Sequence, residues 1–336
     1  MAEIAFNKLQ MGIQSAHGTA VPATQIFPVD SGTVIDLDRA YRSPEEDYGS
    51  LARHQPGRGS YGVRGAEVRI AGDASYELIM YMLEAHLAGG VTPSGSGPYV
   101  WAYPGDISSD STKRLTLEVG TEATQDQWRI HDCLVDELTL SFDALEAPGN
   151  SPWKFSATLL GRDRTANALT AALSAPSALE TMEGHLTQLY EGSTATAFAS
   201  LAELTLSLIS FSWTSRRGLI RRKRGSASSD TFDIYGFGKR ESSFEAMVAM
   251  GATAKTDIYD IYNAAGGIVG ERRWRVKANG TSPRLFTVDG RVRFTSIPIG
   301  DNNGEHVYQV NGDWVYDSTN ATDVKATVTN SVATLT

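Results

Sequence analysis

Cysteine is almost absent from this sequence, and its scarcity excludes a class of protein. Cys133 is the only cysteine among 336 residues, so no disulfide framework can form within one chain. His131 and Asp132 directly precede it and give the tripeptide the composition of a metal site. Within a strand, however, neighbouring side chains point to opposite faces, so the three cannot converge on one ion. We therefore expect a buried or half-buried structural thiol.

The chain also lacks a net positive charge and long apolar runs. The formal net charge is −9 and the pI is near 5.2, which argues against a general nucleic-acid binder, because such a protein needs a net basic face. No apolar stretch approaches the roughly 18–20 residues that span a bilayer. The opening MAEIAFNKLQMGIQ lacks the basic region and apolar run of a signal peptide. We expect a soluble protein, made in a cytoplasm and not inserted into a membrane.

The motifs of the common catalytic classes are missing as well. The chain contains no GxSxG elbow, no HExxH helix, no GxxxxGK[ST] phosphate loop and no CxxC pair. Its six histidines show no spacing typical of metal ligands. Carboxylate pairs such as Glu45-Glu46 lie in a hydrophilic stretch, where two solvated charges are the ordinary state. We therefore predict that the protein is not an enzyme, with no catalytic residue, cofactor or metal.

Alternation of apolar and polar residues is what the chain has in abundance, and it predicts strands. Segments with this pattern include 63–71, 99–103, 115–119, 134–142, 154–160, 273–277 and 285–297. One stretch has helical spacing instead, with an apolar stripe from Tyr76 to Leu87. Asp73 is its predicted N-cap and Gly89-Gly90 its predicted stop. The sequence therefore predicts a mainly β fold with one clear helix.

The length allows one elaborated β domain or two small ones, and we treat 1–336 as a single elaborated domain. Several segments interrupt the strand pattern. Asn311-Gly312 is a strong hairpin signal and predicts a turn between 307–310 and 314–316. The predicted interruptions are a long loop or arm at 42–62, a connection at 162–200, a basic loop at 213–229 and a C-terminal extension at 300–336.

The basic loop concentrates positive charge in an otherwise acidic chain, in the sequence SRRGLIRRKRG. Three interpretations compete: an arm that binds nucleic-acid phosphates, a solvated hairpin tip, or a contact with an acidic patch on another copy. The third is favoured by the acidic excess elsewhere, because complementary patches steer assembly and fix register. The predicted inter-subunit contacts in the two loops are Glu45, Glu46, Asp47, Arg53, Arg58, Arg216, Arg217, Arg221, Arg222, Lys223 and Arg224.

The order of these features resembles the tail tube proteins of long-tailed bacteriophages. The opening stretch MGIQSAHGTAVPATQIFPVDSG resembles the start of that family, with the match carried by Gly18-Thr19-Ala20. Gln14 departs from the acidic residue common there. The extended loop, the helix closing on Gly89-Gly90, the aromatic strand 99–104 ending in proline, and the strand KFSATLLG follow in the family's order.

The resemblance implies a tail-tube-like β-sandwich or barrel with one flanking α-helix. It also implies a structural virion protein whose copies form rings, hexameric in the family, that stack into a tube. Double-stranded DNA and the tape measure protein would occupy the lumen, and tail terminator and distal tail proteins would close the ends. Sheet edges must be paired, covered or closed, and head-to-tail contacts close into rings. The expected location is the phage tail, assembled in the host cytoplasm.

Other interpretations remain open at this level. The same tube could belong to a gene transfer agent, a tailocin or a secretion system, and a trimer of double-domain subunits fits the length. A different class is a carbohydrate- or receptor-binding β-sandwich of a tail fibre or adhesin, in which tryptophans would stack on sugars. The alternating strands around most of the six tryptophans favour core burial instead.

Overall fold

The computed structural model describes most of the chain as an antiparallel β structure. The described residues are 7–30, 34–42, 60–105, 112–121, 127–144, 151–174, 176, 178–205, 207–225, 230–264, 270–302 and 304–335. About 55% of the structure is strand and 9% is helical, so the predicted mainly β class is confirmed.

The described residues form twenty strands. The first ten are β1 Asn7–Ile13, β2 Gln25–Ile26, β3 Val34–Arg42, β4 Ser60–Asp73, β5 Tyr99–Pro104, β6 Leu115–Thr121, β7 Gln127–Asp143, β8 Lys154–Gly161, β9 Asp163–Ala166 and β10 Thr187–Gly192. The others are β11 Ala202–Glu203, β12 Leu208–Arg216, β13 Ile220–Arg222, β14 Ile234–Gly236, β15 Glu241–Ala249, β16 Glu271–Asn279, β17 Leu285–Ser296, β18 Ile299–Asn302, β19 Glu305–Val315 and β20 Val324–Asn330.

One antiparallel sheet runs through most of the molecule, in the order β3-β4-β8-β7-β12-β15-β19-β17-β16-β10. Strand β20 pairs with the first half of β17 and carries β5 on its other edge. The first half of β7 leaves this sheet and pairs with β6 and β9 instead. The 17 residues of β7 therefore join two sheets, and the bulge between Val135 and Glu137 marks where its pairing shifts.

Large aromatic side chains fill the space between the sheets, as the alternating pattern predicts. Trp153 is fully buried, with ring centroids 4.8 Å from Phe142, 6.0 Å from Phe211 and 5.7 Å from Phe286. These residues come from separate elements, so one cluster ties β7, β12 and β17 to the segment before β8. Each aromatic pair of this kind adds about 0.5–1.5 kcal/mol beyond the area that it buries.

The α-helix, α1, spans Ile79–His86, and all eight residues are buried. The expectation of a flanking helix was therefore wrong in position: α1 lies in the core, where it packs against β7 and β5. The sequence IMYMLEAH is apolar on nearly every side, which is the pattern of an enclosed helix. Its buried acid, Glu84, accepts hydrogen bonds from the backbone N–H groups of Gly90 (2.6 Å) and Val91 (3.2 Å).

The predicted N-cap of α1 was also wrong. Asp73 is the last residue of β4, and the helix begins six residues later at Ile79. The intervening backbone is held by other segments, since Ala74 N donates to Trp153 O at 2.7 Å and Tyr76 N donates to Glu180 O at 3.2 Å. These contacts come from distant parts of the chain, so local sequence could not reveal them. A second helical segment runs through Ala252–Ala254, a π-helical turn at Lys255–Tyr259, and Asp260–Tyr262.

The predicted hairpin at Asn311-Gly312 is wrong, because β19 passes straight through both residues. Gly312 lies opposite Phe244 of β15 and Phe294 of β17. A Cβ atom placed there would lie 2.6 Å from the Phe244 ring and 2.5 Å from the carbonyl oxygen of Arg293. The glycine serves a close approach between strands rather than a turn. Residues 300–336 thus contribute β19 and β20 to the middle of the sheet.

Candidate functional site

The charged loops predicted to mediate assembly are only partly described by the structure. Glu45, Glu46, Asp47, Arg53 and Arg58 lie within 43–59, outside the described residues. The strands that lead to this segment are described, and Arg42 pairs with Ser60 at their end. The six basic residues from Arg216 to Arg224 are all described, and the structure divides them between two places.

The first place is a hairpin formed by β13 and β14, which folds back onto the body of the protein. Leu219, Phe232 and Tyr235 of this segment form a small second core with Leu134 of β7. The Tyr235 hydroxyl donates a 2.8 Å hydrogen bond to the carbonyl oxygen of Asp132. The basic segment is therefore anchored at its apolar residues and is not simply a solvated tip.

Two of the four cationic side chains on this hairpin, those of Lys223 and Arg221, have acceptors within the same chain. Lys223 Nζ lies 3.1 Å from Asp233 Oδ1, and the backbone N–H of Arg224 donates to Asp233 Oδ2 at 2.6 Å. The hydrogen bond from the Arg224 backbone N–H has the larger effect and the one from Lys223 the next, and both lower the pKa of the Asp233 carboxyl group. Arg221 Nη2 donates to the carbonyl oxygen of Ala66 at 2.8 Å. The guanidinium of Arg222 lies over Gly236 in the paired strand, so it packs against its own hairpin.

The second place is a groove of about 1,100 Å³ where β12 ends and β15 begins. Arg216 lies on its exposed rim. Arg217 is buried, donates to Thr112 Oγ1 at 2.9 Å, and places its guanidinium 4.8 Å from the centre of the Phe237 ring. The groove is also lined by residues that the sequence pattern did not single out, namely Lys239, Arg240, Arg293, Trp314 and Tyr316.

Arg240 is the most constrained of these cations. Its nearest carboxylate among the described residues is Asp323, whose Oδ1 lies 3.5 Å from Nη1. The Nε and Nη1 atoms are buried and have no hydrogen-bond partner in the described part of the chain. Behind it, burial and then the charge of Arg240 lower the pKa of His86 to about 3, so this histidine is neutral. No signal in the linear sequence connects Arg240 with Trp314, because they are 74 positions apart.

A hairpin of β3 and β4 forms a third surface feature. Tyr41 and Tyr61 are 58% and 64% exposed near its end, with ring centroids 5.1 Å apart. Arg39 lies over Tyr61, with its Cζ atom 4.5 Å from the ring centre. Exposed aromatic pairs next to an arginine are a composition enriched at protein interfaces. Within the described chain, β3 pairs only with β4, so its outer edge is open.

An ion cluster fixes the base of this hairpin to the β13–β14 segment. Arg64 Nη2 lies 2.8 Å from Asp230 Oδ1 and 3.5 Å from Asp163 Oδ2, while Arg39 Nη2 lies 3.2 Å from Asp230 Oδ2. Desolvation works against the charged form of Asp230, but the hydrogen bond and charge of Arg64 outweigh it and lower the pKa. The base of the β3–β4 hairpin therefore lies beside the β13–β14 segment.

The segment around Gly18 docks on the irregular part of β7. Its N–H donates to both carboxylate oxygens of Asp132, at 2.9 and 3.1 Å, and Gln14 Oε1 accepts from the backbone N–H of Asp132 at 2.9 Å. Asp132 has a φ of 55°, so regular alternation fails at this position. Cys133 beside it is buried and unpaired, and burial raises the pKa of its thiol. The described residues contain no group of three His, Cys, Asp or Glu side chains arranged for a metal ion.

The tryptophans behave as the alternating strands predict. Trp101, Trp153, Trp213, Trp274 and Trp314 are buried, and Trp128 is half-buried beneath the guanidinium of Arg164. None of them therefore offers an open ring face for stacking on a sugar. Across the residues that the structure covers, no helix combines the length and apolarity needed to cross a membrane. Comparison with models of known protein families finds no match to this chain, and no curated protein matches it.

Proposed function

We propose that this protein is a structural subunit that assembles with copies of itself into stacked rings, forming the tail tube of a long-tailed bacteriophage. Within the mainly β class, the fold that we propose is that of the tail tube proteins. Its partners would be other copies, the tape measure protein in the lumen, passing double-stranded DNA, and tail terminator and distal tail proteins at the ends. The resemblance implies six subunits in each ring.

The observation that carries this proposal is the hairpin of β3 and β4. Residues 60–63 at its end are exposed, and two large aromatic side chains lie there in contact with each other. The open edge of β3 presents backbone donors and acceptors, which in natural sheets are paired, covered or blocked. A neighbouring copy that covers this hairpin would satisfy both the apolar side chains and the strand edge.

The architecture behind the hairpin suits a structural role. The ion cluster of Arg39, Arg64 and Asp230 holds the base of the hairpin against the body, which fixes the direction of the hairpin. The sheet is continuous from β3 to β10, so a load on the hairpin is carried by many paired strands. The buried tryptophans give no support to the alternative of a sugar-binding module.

Electron microscopy of the purified protein tests the proposal. Negatively stained samples at increasing protein concentration should show rings or tubes, and light scattering should report species much larger than the 36.2 kDa chain. A variant lacking 44–60 should keep the same far-ultraviolet circular dichroism and yet polymerise poorly. Tubes of normal length from this deletion, or a monodisperse monomer under every condition tried with the full chain, would contradict the proposal.

A further inference from the structure

The groove at the end of β12 and β15 contains donors that lack acceptors. Trp314 is 5% exposed, and its Nε1–H has no hydrogen-bond partner among the described residues. The Nε and Nη1 groups of Arg240 share this condition. A buried donor left without an acceptor has lost its hydrogen bonds to water without a replacement, which destabilises the folded chain. An oxygen-rich, negatively charged group that entered the groove would remove that cost at several atoms together.

The other charges of the groove leave room for such a group. Of its four acidic residues, Asp313 lies 3.3 Å from Arg293 and Asp323 lies 3.5 Å from Arg240. The other two, Glu137 and Glu241, are the cross-strand neighbours of Arg216. Lys239 is exposed on the rim and adds a further cation. The unsatisfied donors around Arg240 and Trp314 therefore select a carboxylate over a neutral group.

The chain itself offers one concentrated source of carboxylates. Glu45-Glu46-Asp47 is the only run of three consecutive acidic residues in the sequence. It follows closely on Arg42, the last residue of β3. Asp47 is five positions beyond Arg42, so even a fully extended chain carries it about 17 Å from that anchor.

The groove lies beyond this reach within one molecule. The strand register places Arg69, Thr158, Glu137, Arg216 and Glu241 side by side across the sheet. Ser60, which pairs with Arg42, lies nine positions before Arg69 on β4, or about 30 Å along the strand at ~3.3 Å per residue. The groove is also three to four strands to the side, which adds to the distance. On this path along the sheet the acidic run of the same chain does not reach the groove, so we assign the occupant to another copy.

We propose that this groove receives Glu45-Glu46-Asp47 of a neighbouring copy, with a carboxylate accepting hydrogen bonds from the Arg240 guanidinium and the Trp314 indole. This inference rests on the proposed self-assembly and names the contact that builds it. The rings and stacks proposed for this protein require the contact to be head-to-tail. Such contacts generate rings or stacks rather than closed two-fold dimers.

The first test observes the Trp314 indole directly by NMR. The receiver is the full chain carrying Glu45→Gln, Glu46→Gln and Asp47→Asn, labelled with ¹⁵N, and Trp314→Phe identifies the Trp314 signal. A synthetic peptide of residues 40–52 should shift that signal saturably, and Arg240→Gln should weaken the binding at least tenfold. Arg69→Gln, a similar change on an exposed surface of β4, should leave it unchanged.

Matched ligands define the outcomes that oppose the proposal. A peptide with glutamines and asparagine in place of the three acids should produce no shift. If inorganic phosphate or acetate at the same concentration shifts the Trp314 signal as far as the acidic peptide does, the groove binds an adventitious ion only and the proposal fails. A Trp314 signal that stays in place with the acidic peptide also overturns it.

A crosslinking experiment tests the contact between whole subunits. Chains with Glu46→Cys are mixed with chains carrying Lys239→Cys and oxidised in air with a copper–phenanthroline catalyst. Disulfide-linked dimers should form, whereas Ser200→Cys, exposed elsewhere, should give few. Rings without crosslinks would overturn the groove contact and leave the assembly proposal standing. Peptide binding and crosslinked pairs without rings or tubes would support the groove contact and overturn the proposed assembly.

Discussion

Substitution of Gly312 measures how tightly the two sides of β19 are packed. The Cβ atom of an alanine at this position would lie 2.6 Å from the Phe244 ring and 2.5 Å from the Arg293 carbonyl oxygen. Both neighbours are rigid, since one belongs to a buried aromatic ring and the other to a paired strand. Overpacking of this kind costs about 1–3 kcal/mol. We expect Gly312→Ala to lose stability by that amount.

Urea unfolding followed by circular dichroism is the appropriate assay. The midpoint should fall for Gly312→Ala while the slope stays constant, because the unfolded surface is nearly the same. Gly225→Ala is the matched control, since no atom lies within 4 Å of its added Cβ and its φ lies outside the left-handed region. That control should change the free energy of unfolding by less than about 0.5 kcal/mol.

Gly312→Asn separates the strand from the hairpin that the sequence predicts. In an Asn-Gly hairpin turn the glycine has a positive φ, which asparagine tolerates, so the substitution would be mild. In the continuous strand, asparagine meets the same ring and carbonyl as alanine and carries more atoms. A Gly312→Asn protein as stable as the control, or a Gly312→Ala protein matching Gly225→Ala, would refute the packing of β19 described here.

Three further predictions concern charge and the buried thiol. Asp317 forms a bidentate ion pair with the buried Arg273, at 2.9 and 3.0 Å. Desolvation opposes the charged form of Asp317. Hydrogen bonds from Asn320, Thr319 N and Arg273 outweigh it and lower the pKa of the Asp317 carboxyl group. Its stabilisation is thus present above the unfolded pKa of about 3.9 and is lost as pH falls through the lower folded value. Asp317→Asn should lower the free energy of unfolding by about 3–5 kcal/mol at pH 7, because Arg273 loses its counter-charge. It should also flatten the fall of melting temperature at acid pH. A melting temperature that still falls with pH as in the unaltered protein would contradict this. Cys133 should react with a thiol reagent only on unfolding, since it is buried with a raised pKa, and rapid native labelling would count against that placement. In a cryo-EM map of the assembled tube, Arg216 to Arg224 should not line the lumen, because a strongly positive wall would retard a sliding polyanion; arginines pointing at the axis would exclude this.

The two conjectured contacts also differ in their expected salt dependence. The groove contact is electrostatic, so added salt should weaken it, although less than a fully exposed pair because its donors are partly buried. The aromatic contact at Tyr41 and Tyr61 is mostly apolar and should weaken little with salt. Ring formation measured over a range of ionic strengths therefore reports which contact dominates.

Sequence alone determined the fold class and most of the strands. Period-two alternation is a local property, because side chains of a strand point alternately to its two faces whatever the strand pairs with. Segments such as 115–119 and 154–160 could therefore be predicted as strands without knowing their partners. The composition also indicated where positive charge concentrates, at Arg216 to Arg224.

Tertiary structure decided what those elements contact. Gly312 has the sequence signature of a turn, yet pairing opposite Phe244 and Phe294 on neighbouring strands keeps it extended. Asp73 has the composition of an N-cap, yet hydrogen bonds from the following backbone to the carbonyl oxygens of Trp153 and Glu180 delay the helix to Ile79. Arg240 and Trp314 meet in one groove although 74 positions separate them. Each outcome depends on contacts between residues far apart in the chain, which local patterns do not encode.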